Sequence, residues 1–124
     1  MRKIFDNLKK FYEENRYTSQ LITDENQQIL LLYNSKSKAI IFGLIYLTNT
    51  DEIDIGYLEK CNNSIQLSCT QMVKIETTSV MSIVKIISEI ENDLLIKLNQ
   101  NYLDDEMRPK VLFSDCDSII SKFT

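Results

Sequence analysis

Residues 28–47 read QILLLYNSKSKAIIFGLIYL: two apolar runs, Ile29–Tyr33 and Ala39–Leu47, joined by the polar link Asn34–Lys38. Asn and Ser bond their own backbone and favour tight loops, so the stretch reads as a β-hairpin. Successive strand side chains point to opposite faces, and a strand with one wet face alternates apolar with polar residues. These strands do not alternate. Ile40, Phe42, Leu44 and Tyr46 point one way, and Ile41, Ile45 and Leu47 the other. Four large side chains left in water would forfeit roughly 6–12 kcal/mol, at about 1.5–3 each, which rivals the net stability of a domain. Both faces are therefore expected to be covered. Helices of the same chain cover one. The other is left to the C-terminal segment, a second copy or a partner protein.

Upstream, Ile4, Phe5, Leu8, Phe11 and Tyr12 form one stripe of an amphipathic helix from about Arg2 to Asn15. Tyr17–Thr23 reads as a short strand, and Asp24–Gln27 as the turn into the central pair. Downstream, Asp51 reads as an N-cap, with Glu52 and Asp54 in the first turn and Ile53, Tyr57, Leu58 and Cys61 as a buried stripe. A second helix is expected there, although Gly56 costs it about 1 kcal/mol against alanine. Ser64–Ile75 alternates through Ile65, Leu67 and Cys69. Met72, Val73 and Ile75 break that phase, so a bulge or turn near Thr70 is expected to split the segment into two short strands. Thr78 or Ser79 caps a long helix to about Asn101, with Val80, Ile83, Ile87, Ile90, Leu94 and Leu98 inward. Val84, Ile86, Leu95 and Ile96 widen its apolar side, so the helix is either buried on two sides or meets another chain. Lys110–Phe113 reads as an edge strand, and Ser114 with Asp117 as the start of a last short helix.

The expectation is one α+β domain over residues 1–124. Its order is helix, three-stranded antiparallel meander, helix, one or two strands, long helix, and a C-terminal strand and short helix. The longest apolar run, nine residues, falls short of the ~20 a membrane helix needs. MRKIFDNLKKF lacks an unbroken apolar core and does not read as a signal peptide. Cys61, Cys69 and Cys116 are odd in number and unpatterned in spacing, which fits reduced thiols in a cytoplasm.

Net charge is −4, unevenly placed. Glu89, Glu91, Asp93, Asp104, Asp105 and Glu106 face a single Lys97 between positions 89 and 106. Nucleic acid needs clustered Lys and Arg to displace phosphate counterions and is disfavoured as a ligand. A basic protein partner suits these six acids, which are the candidate binding residues.

The chain contains no histidine. That removes the commonest general base, the commonest metal ligand and every Ser-His or Cys-His nucleophile. No cysteine pair has zinc-ligand spacing, and no Gly-rich loop offers a phosphate site. Neither a metal nor a cofactor is expected. Tyr12, Tyr33, Tyr46 and Tyr57 fall at core-phased positions and read as packing. VLFSDCDS at 111–118 resembles the nucleophile motif of haloacid-dehalogenase-type phosphatases, which would make Asp115 the nucleophile and Asp117 the acid/base. It falls within ten residues of the C-terminus, with no following sheet to supply that family's lysine and metal-binding acids. Asp115 and Asp117 are therefore expected only to favour a helix start.

The order of elements resembles class I type III secretion chaperones, small acidic α+β proteins that dimerise and wrap an extended effector segment. FDNLKKFYEENRY stands for the first helix, DENQQILLLY and AIIFGLIYL for strands, IGYLEKCNN for the middle helix and SVMSIVKIISEIENDLLIKL for the last. The tail beyond Asn101 departs from that pattern. In type, the chain is also similar to small immunity proteins encoded beside bacterial toxins, whose acidic faces commonly meet basic nuclease domains. Shape alone does not license function. The lead expectation is a noncatalytic, cytoplasmic immunity protein that neutralises a cognate toxin. A dimeric chaperone for an effector is the alternative.

Overall fold

The computed structural model describes residues 3–34, 37–61 and 64–100. Along the chain lie α1 (Ile4–Glu14), β1 (Tyr17–Thr23), β2 (Gln27–Asn34), β3 (Ser37–Leu47), β4 (Glu52–Cys61), β5 (Ser64–Lys74) and α2 (Val80–Gln100). The five strands form one antiparallel meander in the order β1-β2-β3-β4-β5. The class is the expected α+β, with a helix before the sheet and a long one after it.

Helix α1 buries Phe5, Leu8 and Tyr12, one stripe of its surface, while Asp6 in the first turn complements the helix dipole. Asn15 stops it: the side-chain amide donates to the Phe11 carbonyl at 2.8 Å, and the backbone N–H is shared between the carbonyls of Phe11 and Tyr12. Arg16 then takes φ 68°. A side chain in this left-handed region costs roughly 1–2 kcal/mol, and the turn it makes delivers the chain into β1.

The β1–β2 link is held by Asp24. One carboxylate oxygen accepts the backbone N–H groups of Asn26 at 2.8 Å and Gln27 at 2.9 Å. These bonds, with help from the Gln27 side chain, hold the Asp24 carboxyl below its ordinary value of 3.8. A depressed folded-state pKa stabilises the fold above 3.8, and that contribution fades as pH falls through the lower folded value. Asp24→Ala is expected to lower the melting temperature at about pH 7, and the gap to the parent should narrow at about pH 3. Thermal melts at the two pH values check this.

As the two-sided apolar pattern of residues 28–47 implies, β2 and β3 are inner strands. Leu30 pairs with Leu44 and Leu32 with Phe42, and these side chains face the helices. With Ile40, Ile53 and Ile55 they meet Phe5, Leu8 and Tyr12 of α1 and Ile83, Ile86, Ile87, Ile90 and Leu94 of α2 in one buried cluster. On the opposite face Leu31, Tyr33, Ile41 and Leu58 form a second cluster, flanked by half-buried Ile22, Ile29, Ile65 and Leu67. Among the described residues both helices lie on the first face. The second cluster is buried as expected. The proposal that residues after Asn101 cover it falls outside the described residues.

Two expectations are corrected. The helix expected over Asp51–Cys61 is strand β4. Its acids imitate a helix start, but Ile53, Ile55 and Tyr57 alternate with Glu52, Asp54 and Gly56, and the alternation wins. Ile53 and Ile55 become fully buried between β3 and β5, a gain no isolated helix of this length could match. Ser64–Lys74 is one strand, not two. The expected irregularity is real: Ile55 pairs with Gln71 and Gly56 with Cys69, leaving Thr70 as the extra residue of a bulge. The bulge reverses the phase of β5, so Ile65 and Leu67 join the second cluster while Val73 packs against the helix side. The expected strand at Lys110–Phe113 and the helix after Ser114, including Asp115 and Asp117, lie outside the described residues.

Two glycines shape this part of the sheet. Gly43 and Gly56 are direct cross-strand partners. Leu67 of β5 reaches over the pair, so that a Cβ on Gly43 would sit 2.8 Å from its Cδ1. The Leu67 side chain of β5 thus reaches past β4 to β3. An apolar hollow of about 200 Å³ remains between Ile29, Leu31, Ile45, Leu58, Ile65 and Leu67.

Candidate partner-binding surface

Helix α2 starts as expected at Ser79, whose hydroxyl accepts the Ser82 backbone N–H at 3.2 Å. From there the helix crosses the sheet with Ile83, Ile87, Ile90 and Leu94 down. Its 3.6-residue period sorts the remaining residues into two flanks. Glu89, Asp93 and Ile96 step by four and three along the flank beside β4 and β5. Val84, Ser88, Glu91 and Leu95 step along the flank beside α1 and β1.

The acidic trio is thus divided. Glu89 and Asp93 are exposed, one turn apart. Asp93 edges a groove of about 230 Å³ with Tyr57, Thr70, Ile90 and Leu94. Ile96 continues the same flank at 52% exposure. Glu91, two positions from each acid, points the other way and is half-buried, accepting a 3.4 Å hydrogen bond from the Tyr17 hydroxyl. Asp104, Asp105 and Glu106, the other half of the expected set, lie outside the described residues.

On the α1 flank, Glu91 belongs to a pocket of about 200 Å³ walled by Phe11, Tyr12 and Tyr17, floored by Val84 and Ile87, and open at Asn15 and Ser88. The rings meet edge to face: Phe11 and Tyr12 at 5.3 Å and 87°, Tyr12 and Tyr17 at 4.8 Å and 68°. Burial, then the nearby Tyr17 and Glu91, push the Tyr12 phenol well above its ordinary range. Burial and the Glu91 charge raise Tyr17 likewise. Both phenols stay neutral.

Tyr12 and Tyr33 are buried and Tyr46 and Tyr57 pack against the core, as their phasing implied. Tyr17 gives no signal of this role in the sequence, because Glu91 lies 74 positions away, beyond the reach of any local motif. Among the described residues no group of three or more His, Cys, Asp or Glu is placed to hold a metal, and Cys69 is an exposed free thiol. No described helix is long and apolar enough to cross a membrane.

Fold and surface together define a class: an antiparallel meander backed on one side by two helices, with an acid-and-apolar helix flank to offer. No family model matches the chain, and no curated protein or solved structure is significantly similar to it.

Proposed function

We propose that this chain is a noncatalytic binding protein whose task is to neutralise a cognate toxin carrying a basic domain. The observation that carries the reading is the outer flank of α2, where exposed Glu89 and Asp93 stand in line with an exposed Ile96. Protein interfaces combine an apolar centre with a polar rim. Acids on such a rim draw a basic partner in by long-range attraction and suppress wrong ones. Leu95, exposed on the other flank, extends the apolar surface beyond what the sheet uses. The alternative as an effector chaperone has less support, because residues 55–61, read as part of its middle helix, lie in β4.

The test pairs the chain with the toxin-like product of an adjacent reading frame. Rim charges act mainly on association rate and its salt dependence. Glu89→Lys with Asp93→Lys is expected to slow association about tenfold at low ionic strength and to flatten the salt dependence. Association that ignores both the substitutions and the salt would remove this reading.

A further inference from the structure

We infer that the Phe11–Tyr12–Tyr17 pocket receives a lysine side chain presented by the protein partner, a second anchor that rests on the binding role proposed above. Phe11, Tyr12 and Tyr17 all line this hollow, and Tyr12 meets each of the other two rings edge to face. Aromatic faces attract cations through their quadrupoles, and more strongly where water is partly excluded. Beside them stands the half-buried Glu91 carboxylate, and among the described residues no Lys or Arg lines the pocket. Rings, aliphatic floor and carboxylate complement a long alkyl stem ending in positive charge.

The hydrogen-bonding capacity selects among cations. Glu91 Oε2 already accepts the Tyr17 hydroxyl at 3.4 Å, which takes one of that oxygen's two lone pairs. A guanidinium is recognised best by two parallel bonds to both carboxylate oxygens, whereas an ammonium is a compact point charge that needs one. The pocket opens between Asn15 and Ser88, both exposed, so a side chain enters from solvent without displacing the core.

The experiment uses the full chain, isotopically labelled, and N-acetyl-lysine methylamide as the probe. The neutral norleucine analogue and salt of equal ionic strength serve as controls. Amide shifts at Tyr17, Ser88 and Glu91 should saturate at about 10–50 mM probe, the range expected of one isolated side chain. Glu91→Gln should weaken binding about tenfold with no change of fold, since the charge partner is lost. Ser88→Lys should abolish it, because the chain's own ammonium then fills the pocket. The inference is overturned if the norleucine analogue gives the same shifts, if Glu91→Gln leaves the titration unaltered, or if the arginine analogue binds more tightly. The two proposals fail separately. A pocket that ignores lysine leaves toxin binding through Glu89 and Asp93 standing, and a lysine-binding pocket survives a toxin indifferent to that flank.

Discussion

Gly56→Ala is expected to cost the fold about 3–4 kcal/mol and to lower the melting temperature by roughly 10 °C. A Cβ on this residue would lie 1.9 Å from the Ser68 carbonyl oxygen and within 3 Å of two further backbone atoms of β5. Backbone cannot rotate away as a side-chain tip can. Relief requires β4 and β5 to separate beside the Thr70 bulge, losing pairing at Gly56–Cys69 and loosening Leu58 and Leu67 on the second face. Gly43→Ala is the control. Its Cβ would meet the mobile end of Leu67 at 2.8 Å, a half-buried side chain with room to turn, so about 1 kcal/mol or less is expected. Equal costs for the two substitutions, measured by urea unfolding, would refute the close approach of β5 to Gly56.

Ile41→Ala is expected to destabilise by about 2–4 kcal/mol, as much as Ile55→Ala. Both side chains are 0% exposed, yet they lie on opposite faces of the sheet. Ile55 is held under the helices. Ile41 sits with Leu31, Tyr33 and Leu58, where no described helix packs. If the second cluster is a true interior, truncation leaves a cavity and forfeits contacts just as it does beneath α2. The midpoint in urea should fall while the slope of the transition stays constant. A loss below about 1 kcal/mol, the range of surface substitutions, would mean that Ile41 faces water.

The two-sided apolar run at 28–47 made the inner strands legible, because only a strand covered on both faces reads that way. The stripe Phe5–Leu8–Tyr12 and the Ser79 cap likewise announced α1 and α2. Strand β4 was hidden by its acids: Asp51, Glu52 and Asp54 carry helix-start chemistry, and the competing two-residue alternation of Ile53, Ile55 and Tyr57 gains its value only from neighbours far along the chain. The phase break in β5 was visible, but sequence could not tell a bulge from a turn, since the outcome is set by the pairing of β5 with β4 on either side of Thr70. Of the candidate site, residue type was legible and placement was not. Glu91 sits 200° around an ideal helix from Glu89, so the three acids on α2, read as one strip, divide between two flanks. The aromatic pocket gave no local signal, since its walls come from α1, β1 and α2.

The meander has a kinetic corollary. Each strand's hydrogen-bonded neighbour is the next stretch of chain, so the sheet can zip up through successive short closures, each of low entropic penalty. Helix α2 is different: it must swing back until Glu91 reaches Tyr17, across 74 positions. During synthesis the strands leave the ribosome with Phe42, Leu44, Ile53 and Ile55 covered on that side by α1 but not yet by α2. The window between zippering and roofing is when the nascent chain is most adhesive and most in need of a holdase.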